Sequence, residues 1–341
     1  MTESVTIGVI NYNGEKLLPA CLSAIENLDY PHREVLLIDN RSTDRSVQLA
    51  RKDFPAVRIL EMPANRGPNP ARNAALLHAR TEYVLLVDND ILVTEGALTE
   101  IMDIVRRVPD VALITPRIRL YHHPEEVQYE GRHVHYIGAM TSREYPSAGA
   151  GGEAFPVEVL SGAILLVNRK KAVDIGLFDE DYFFGWEDGD FTTRMRISGF
   201  RCLRATRAVV YHNTGRRGLA YAYYQVRNRW FFMLKVYSLR TLLVISPALL
   251  FYECIIAALM AVKGKFWQYV KANFSVMRNL RKIIGKRRQV QSLRRIGDRD
   301  LLTSGRIIIS DEVADKRYLQ LGNRIMNAVL DAYWKMVYGI I

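Results

Sequence analysis

Short apolar runs alternate with amphipathic stretches along the first third of the chain. The runs VTIGVI, EVLLID, VRIL, YVLLVD and VALITP predict strands. Apolar positions at helical spacing between them predict helices over residues 17–28, 45–52, 71–79 and 95–107. This alternation predicts an α/β fold with a mostly parallel central sheet and helices on both faces. Ligands of such sheets bind at the carboxyl ends of the strands, where Asp39 and Asp88 lie.

The middle of the chain departs from this rhythm. Residues 118–157 are rich in His, Gly and Pro and predict an irregular surface or lid-like insertion. Beyond it, VEVLSGAILLVN and CLRATRAVVYH predict two more strands, and residues 219–237 predict a helix. Between these strands, YFFGWEDGDFTTRMRISGF places Glu187, Asp188 and Asp190 beside aromatic residues. Such acids are typical either of a capped helix start or of a catalytic site.

The C-terminal third has a different composition. Thr241–Val262 is a nearly continuous apolar run, about as long as a bilayer-spanning helix, that contains Pro247 and Glu253. Residues 263–299 are strongly basic, and the last twenty residues predict an amphipathic helix. The predicted domains are a catalytic domain at 1–237 with halves at about 1–117 and 118–237, an apolar membrane-associating segment at 238–262, and a basic, mostly helical region at 263–341.

The charge of the chain favours an anionic partner. The 341 residues carry a net charge of +11, and the pI is about 9.5. Nucleic acid, a phosphorylated small molecule and an anionic membrane face all fit this balance. The three cysteines form no CxxC pair, which argues against a disulfide framework or a cysteine zinc site. The N-terminus lacks the basic and apolar pattern of a signal peptide.

Three polar motifs near strand ends each have two interpretations. Asp88-Asn89-Asp90 offers two carboxylates that can bind a hard divalent ion, or it is an acidic turn. Asp39 can bind a nucleobase or a ribose hydroxyl, or it belongs to a turn in which Asp44 caps the next helix. Arg66 and Arg72 in NRGPNPARN lie near a helix start, where phosphate binds well, or they belong to a solvated turn and a surface helix.

Four histidines raise the question of a second metal site. They are His122, His123, His133 and His135. The last two would share one face of a strand. No acid completes a clear ligand set beside them, which favours an exposed or acceptor-facing loop.

The order of these motifs resembles the family 2 glycosyltransferases, which have the nucleotide-sugar-binding GT-A fold. The matching motifs are VINYNG, LLIDNRSTDRS, NRGPNPARN, LLVDND, SGAILLVNR, WEDGDFTTRMRISGF and VVYHNTG, in order over residues 5 to about 235. No single motif is decisive, but seven in order are hard to produce by chance. The chain departs from the commoner DDGS form of the second motif, because Asn40 and Arg41 stand there.

The resemblance implies a donor site and a metal site. Asp39 would bind the nucleobase, with Arg72 near the base or the phosphates. Asp90, with Asp88 close by and His212 as a further ligand or diphosphate contact, would hold Mn²⁺ or Mg²⁺ against the diphosphate. The full set implied for the nucleotide-sugar is Asn11, Tyr12, Asn13, Asp39, Asn65, Arg72, Asp88 and Asn89.

The resemblance also implies a catalytic base. Asp188 would take the proton of the attacking acceptor hydroxyl, with Trp186, Glu187 and Asp190 on the acceptor side. One base acting opposite the leaving diphosphate gives inversion at the anomeric carbon, and a metal ion stabilises the charge of the leaving group. Partial burial beside aromatic residues would raise the pKa of Asp188, whereas the helix dipole would lower it.

The expected function is an inverting, metal-dependent glycosyltransferase. It would move a sugar from a nucleotide-diphospho-sugar, by default a UDP-sugar with dTDP- or GDP-sugars possible, to a lipid-linked glycan or cell-surface polysaccharide acceptor. A sugar-phosphate nucleotidyltransferase is one alternative, but NYNGEK is too short for its Gly-rich phosphate loop. A non-enzymatic basic protein that binds nucleic acid or membrane is another. The basic residues beside the apolar run fit lipid better than nucleic acid.

The C-terminal segment is expected to associate with a membrane without crossing it. A nucleotide-sugar site faces the cytoplasm, so a single span would put the basic tail outside, against the positive-inside tendency. Glu253 would also be buried in the bilayer at a cost. An in-plane or re-entrant helix on anionic lipid at the cytoplasmic face is therefore preferred, before core or oligomer helices and before a true span. The sequence leaves the oligomeric state open.

Overall fold

The computed structural model describes residues 3–142, 153–214, 219–307 and 317–341. Its strands, β1 to β13 in chain order, are Val5–Asn11, Arg33–Asp39, Arg58–Glu61, Tyr83–Asp88, Ile91–Val93, Val111–Leu120, Val127–Tyr129, Arg132–His135, Met140–Ser142, Ala154–Pro156, Ile164–Asn168, Arg201–His212 and Leu302–Thr303. Its helices, α1 to α12, are Leu18–Glu26, Ser46–Asp53, Pro68–His78, Ala97–Arg107, Arg169–Asp174, Glu187–Ile197, Ala222–Val236, Leu239–Val262, Phe266–Arg278, Leu280–Ser292, Asp298–Leu301 and Arg317–Val337.

The main sheet has the order β10-β12-β6-β11-β4-β1-β2-β3, with β5 and β7 added at β12 and β6. The predicted parallel sheet is confirmed in the donor half, where β4, β1, β2 and β3 are parallel neighbours. Strand β11 is antiparallel to both β4 and β6, so the sheet as a whole is mixed. Because β1, β2 and β4 run the same way, their carboxyl ends meet at one edge of the sheet.

Both faces of the sheet are buried, as the apolar runs predict. Alternate residues of β1 point to opposite faces: Val5, Ile7 and Val9 join the cluster under α1 and α4, whereas Ile10 joins the cluster under α3 and α6. A strand covered by helices on both sides has no polar face, and every residue of β1 is buried. The polar residues that end these strands therefore stand out at the sheet edge.

The prediction of an irregular insertion at 118–157 is wrong for much of that segment. Strand β6 continues to Leu120, and β8 and β9 pair with each other, while β13 joins β8, in a second, three-stranded sheet. His133 and His135 are buried, not exposed. Nδ1 of His133 lies 2.8 Å from Glu158, and burial lowers the pKa of His135 to about 3. Residues 143–152 lie outside the described residues.

The C-terminal helices pack on the acceptor half of the sheet. One apolar cluster contains Tyr136 from the turn after β8, Phe232 from α7, Ile245 from α8 and Trp334 from α12. The predicted boundary at residue 237 falls at the turn between α7 and α8, where Ser238 caps α8 by accepting a hydrogen bond from the Thr241 N–H at 3.0 Å. Side chains on both sides of this boundary share one core.

Helix α8 has one face on the protein and one face outward. Among the described residues it is long and apolar enough to cross a membrane, with a mean hydropathy of 2.2 in its most apolar window. Glu253 faces inward, forms an ion pair with Arg229 of α7 and accepts a hydrogen bond from Tyr269 of α9 at 2.7 Å. The acid in the apolar run is therefore explained by a partner within the protein, since a buried charge is costly unless it is paired.

Candidate active site at the sheet edge

Three strand ends are tied together by one buried side chain. Asn11 at the end of β1 lies beside Asp39 at the end of β2 in the register of the sheet. Its amide nitrogen donates to Asp39 Oδ1 at 2.8 Å, and its amide oxygen accepts from Asn89 at 2.7 Å. The predicted meeting of these residues at one edge follows from the parallel strands.

Asp39 is buried and partly engaged by the turn that follows it. Ser42 donates to Asp39 from its hydroxyl at 2.5 Å and from its backbone N–H at 2.9 Å. The carboxylate still has acceptor capacity on Oδ2, which takes only the backbone bond. Tyr12, which follows Asn11 in the chain, is half-exposed, and Asn13 binds the same turn by accepting from the Thr43 N–H at 2.8 Å. The end of β1 thus presents a half-exposed ring, and Asp39 at the end of β2 keeps a free acceptor position.

The turn before α3 closes the donor edge against the acidic segment. Asn65 accepts hydrogen bonds from the side chain of Asn40 at 3.1 Å and from the Gly67 N–H at 3.0 Å. Gly67 has φ of +91°, and a Cβ there would come within 2.7 Å of the Phe183 carbonyl oxygen. Only glycine tolerates both conditions. The glycine of NRGPNPARN thus allows this turn to contact the segment that carries the predicted base.

Arg72 lies at the centre of the site. It is buried on α3, and its Nη2 lies 3.2 Å and 3.3 Å from the two carboxylate oxygens of Asp88. Its Nη1 lies 3.9 Å from Glu187, and Gly162 leaves room for the guanidinium. The arginine therefore joins the end of β4 to the start of α6. Burial raises the pKa of Asp88, and Arg72 opposes this rise.

Asp90 faces His212 across the β5–β12 pair. The His212 Nε2 lies 3.2 Å from Asp90 Oδ2, and the His212 Nδ1 lies 2.8 Å from the amide oxygen of Gln128. Because an amide oxygen only accepts, Nδ1 carries the hydrogen in the neutral ring and Nε2 keeps its lone pair. Two acceptors then face each other at 3.2 Å, an arrangement that a cation between them would stabilise.

The unpartnered atoms of this pair fit a divalent ion. Asp90 Oδ1 and His212 Nε2 are buried and have no hydrogen-bond partner within the described part of the chain. A carboxylate and a neutral imidazole are common metal ligands, and a hydrogen bond from the other ring nitrogen, here to Gln128, orients such an imidazole. Asp88 is less available, since both its oxygens face Arg72. A separate close group, His123, Glu125 and Glu126, is fully exposed.

The start of α6 holds Asp188 in a strained turn. Gly185 and Trp186 both have left-handed φ angles, +75° and +68°, and a bulky residue in this region is unfavourable. Such strain persists where packing enforces it, and Trp186 is buried and stacks on Phe232 at 4.6 Å between ring centroids. Asp188 then accepts from the backbone N–H of Gly162 at 3.3 Å. The carboxylate is thus fixed at a helix N-terminus beside Arg72.

Glu187, its neighbour, has a strongly perturbed pKa. Burial, and after it the negative charge of Asp188, raise the pKa of Glu187 to about 7, and Arg72 opposes this rise. One of its carboxylate oxygens is buried with no partner among the described residues. Two adjacent carboxyl groups that share one arginine do not both ionise easily. A protonated Glu187 adds no negative charge beside Asp188.

Stability is expected to depend on pH through Glu187. Its pKa in the folded state, about 7, lies above the ordinary value of 4.5, so its contribution to stability is full below pH 4.5 and is lost as the pH rises through 7. Glu187→Gln cannot ionise. The melting temperature of this variant relative to the wild type is therefore expected to rise between pH 5 and pH 8. Glu61→Gln, at an exposed ion pair with Arg51, is the control. Parallel pH profiles of the melting temperature for Glu187→Gln and the wild type would contradict a contribution of Glu187.

A cavity of about 510 Å³ opens in front of these acids. Its inner wall includes Trp186, Glu187 and Asp188, and aromatic rings and polar groups such as Tyr221 and Gln225 extend it. The far wall comes from α8. A cavity of this size, apolar with a few polar groups, is typical of a site for a small ligand.

Comparison with known proteins identifies the domain. The model of the family described as "Glycosyl transferase family 2" matches residues 6–170. This part of the chain, just under half of its length, resembles a family 2 glycosyltransferase domain. A poly-beta-1,6-N-acetyl-D-glucosamine synthase of Staphylococcus aureus is 27% identical over 210 residues, which cover 58% of this chain and 47% of that protein. The chain thus spans about half the length of that relative.

Two further proteins support the same domain. The N-acetylglucosaminyl-diphospho-decaprenol L-rhamnosyltransferase of Mycobacterium tuberculosis is 26% identical over 240 residues, covering 62% of this chain and 77% of that protein. The crystal structure of GalNAc-T7 with UDP, GalNAc and Mn²⁺ has a TM-score of 0.60 at 13% identity, over 70% of this chain and 48% of that chain. This likeness confirms the predicted GT-A fold.

The glycosyltransferase domain brings most of the predicted residues together, but not Asp190. That side chain is fully buried. It is bound by Arg194 at 2.8 Å and by Lys235 of α7 at 2.6 Å, while the hydroxyl of Tyr182 lies 3.3 Å away. With these partners Asp190 has no surface toward an acceptor, and it joins α6 to α7 instead. The prediction that Asp190 is an acceptor-side residue is therefore not carried further.

Sequence reasoning missed residues that lie on the irregular segment and on α8. Gln128, which orients His212, carries no motif. Arg132, Ile256 and Met260 line the cavity. They lie in stretches without clear periodicity, so the sequence pattern did not predict their place in the site. One signal was available: Glu253 is the single acid in the run Thr241–Val262, and a lone acid in an apolar helix indicates a face that contacts protein.

Proposed function

We propose that the protein transfers a sugar from a nucleotide-diphospho-sugar to an acceptor hydroxyl with inversion at the anomeric carbon. The observation that carries the proposal is the Arg72 bridge, which joins Asp88 at the donor edge to the Glu187–Asp188 pair at the cavity. Donor and acceptor groups thus meet at one buried arginine. The name of each relative given above, a synthase and a rhamnosyltransferase, supports transfer to a polysaccharide or to a lipid-linked glycan.

The donor would lie along the strand ends. The Tyr12 ring and the free acceptor position of Asp39 suit a nucleobase, and Asn11, Asn13, Asn65 and Asn89 hold the surrounding turns. Asp90 and His212 would hold Mn²⁺ or Mg²⁺. A divalent ion bound there supplies positive charge against the leaving diphosphate.

The reaction needs one base on the other side of the sugar. The acceptor oxygen attacks the anomeric carbon, the bond from that carbon to the diphosphate oxygen breaks, and the hydroxyl proton passes to Asp188. The diphosphate leaves with the bonding electron pair. Asp188 suits this role because Gly162 and the helix start fix it at the cavity wall, and a protonated Glu187 places no second negative charge beside it. Trp186 and Glu187 shape the acceptor side.

The stereochemistry of the product tests this mechanism. Proton NMR of the product formed from an α-linked nucleotide sugar is expected to show a β-glycosidic bond, because one displacement inverts the carbon. A retained α-linkage would exclude direct displacement assisted by Asp188. Formation of nucleoside triphosphate and sugar 1-phosphate when inorganic diphosphate is added, with no glycoside formed, would instead favour nucleotidyl chemistry.

We further propose that α8 lies on a membrane surface at the cytoplasmic face and does not cross it. Glu253 and the buried residues Ile245 and Tyr252 hold its inner face on the protein. Leu243 and Leu250 on the outer face are 74% and 68% exposed. The basic residues of 263–299 follow directly and suit anionic headgroups.

The outer face of α8 is expected to decide vesicle binding. Leu243→Glu with Leu250→Glu should lower co-flotation with vesicles of phosphatidylcholine and phosphatidylglycerol, because each acid removes an apolar anchor and adds repulsion. Leu77→Glu, at a leucine of α3 that is 57% exposed, is the control. Full binding of the double variant would contradict the proposal.

A further inference from the structure

The geometry points to an acceptor that carries a phosphate group, bound by Arg132, and an isoprenoid or similar lipid tail that runs along α8. This inference rests on the proposed function and names the substrate class of its acceptor cavity. Arg132 and the α8 residues line the same cavity as Asp188. A sugar hydroxyl at the base, a phosphate at the arginine and a tail at the helix are the three parts of one lipid-linked acceptor.

Arg132 stands out because the cations around it are already paired. Arg117 and Arg204 share Glu130, and Arg229 is paired with Glu253. The guanidinium of Arg132 lies over the ring of Tyr129, 5.4 Å from its centroid, and no carboxylate lies within ion-pair distance of it in the residues that the structure describes. A guanidinium without a counter-ion in a cavity is suited to a phosphate, which it binds through two parallel hydrogen bonds.

The position of Arg132 is fixed by the fold. Its backbone pairs with Val159 in both directions, at 3.2 Å and 3.0 Å, and the chain from Val159 continues to Gly162, which donates to Asp188. The segment that pairs with Arg132 therefore also holds the carboxylate of Asp188 on α6 through Gly162. A phosphate bound at Arg132 would set the acceptor sugar at a fixed place relative to Asp188, which is the positioning that a displacement requires.

The opposite wall of the cavity is apolar and belongs to the proposed membrane helix. Val226 of α7 and Ile256 and Met260 of α8 form it. The same helix presents Leu243 and Leu250 outward. The cavity lining and the outward leucines thus belong to one apolar helix, along which a lipid tail would run from the cavity to the bilayer. A soluble polysaccharide has no lipid tail to bury against these apolar residues, so the wall favours a lipid-linked acceptor over a soluble glycan.

The test uses the full-length protein in a non-ionic detergent with farnesyl phosphate and farnesol as probes. Quenching of tryptophan fluorescence reports binding, since Trp186 lines the cavity. Arg132→Gln is expected to weaken binding of farnesyl phosphate about tenfold or more and to leave farnesol binding unchanged, while Arg132→Lys should recover part of the loss. Arg80→Gln, at an exposed arginine before β4, is the matched control. Inorganic phosphate that competes as well as farnesyl phosphate would show a free-anion site and overturn the lipid assignment.

A second measurement separates this inference from the proposed function. Thermal stabilisation of each variant by nucleotide sugar with Mn²⁺ reports the donor site and an intact fold. Donor stabilisation in Arg132→Gln together with lost farnesyl phosphate binding supports the inference. Equal binding of farnesyl phosphate by the wild type and Arg132→Gln overturns the inference about Arg132 but does not contradict the proposed function. A wild type that no nucleotide sugar stabilises contradicts the proposed function itself.

Discussion

Asp188→Asn is expected to lower sugar transfer by about 10²–10⁴-fold, which is the usual contribution of a general base. Asparagine keeps the size of the side chain and can still lie beside Gly162, but it cannot take the proton of the acceptor hydroxyl. Binding of the nucleotide-sugar donor with metal is expected to stay at the wild-type level. Initial rates of transfer and donor affinity, measured on the same preparations, check both expectations.

The matched control is Asp103→Asn, which removes a carboxylate from a half-exposed ion pair on α4, far from the sheet edge. Such surface pairs contribute little to stability, so this variant should transfer sugar at the wild-type rate. Near-normal transfer by Asp188→Asn would show that Asp188 is not the base. Loss of donor affinity in Asp188→Asn would mean that the residue acts on the donor.

The second large effect is expected at the metal pair. Asp90→Asn and His212→Ala should each abolish or greatly weaken Mn²⁺ binding and with it the binding of the nucleotide diphosphate, because each removes one of two facing ligands. Gln128→Leu should weaken Mn²⁺ binding about 10–100-fold, the usual effect of losing the group that orients a ligating histidine. Electron paramagnetic resonance of Mn²⁺ with UDP or GDP present measures all three.

Two substitutions control for the loss of charge and of an imidazole. Asp103→Asn and His32→Ala, both away from the carboxyl ends of the strands, should bind Mn²⁺ as the wild type does. Unchanged Mn²⁺ affinity in Asp90→Asn would remove Asp90 as a ligand. An effect of Gln128→Leu as large as that of His212→Ala would mean that Gln128 is itself a ligand.

The donor edge was the part of the site most open to prediction from sequence. Asp39, Asp88 and His212 each end a strongly apolar strand, and parallel strands must bring such ends together. The order of the sheet could not be predicted in full, because β11 turns antiparallel between β4 and β6. That reversal depends on pairing between segments far apart in the chain.

The acceptor side was less predictable, since its contacts are non-local. Arg194 lies one helical turn after Asp190, so the spacing predicts their ion pair. The burial of Asp190, however, depends on Lys235 of α7. Arg132 and Gln128 lie in a segment whose strands are only three or four residues long, too short for a periodic signal. The ion pair of Glu253 with Arg229 joins α8 to α7, and the spacing of the two residues in the sequence does not predict it.

The central claim is that the sheet edge binds a nucleotide-diphospho-sugar through a divalent ion. The most direct measurement is the shift in melting temperature of the wild type with a panel of UDP-, GDP- and dTDP-sugars, each with Mn²⁺, with Mg²⁺ and with EDTA. A ligand stabilises the folded state according to its affinity and concentration. The account predicts that one donor class raises the melting temperature, that EDTA removes the effect, and that Asp90→Asn does the same. No stabilisation by any nucleotide sugar, or an equal shift with EDTA, would contradict it.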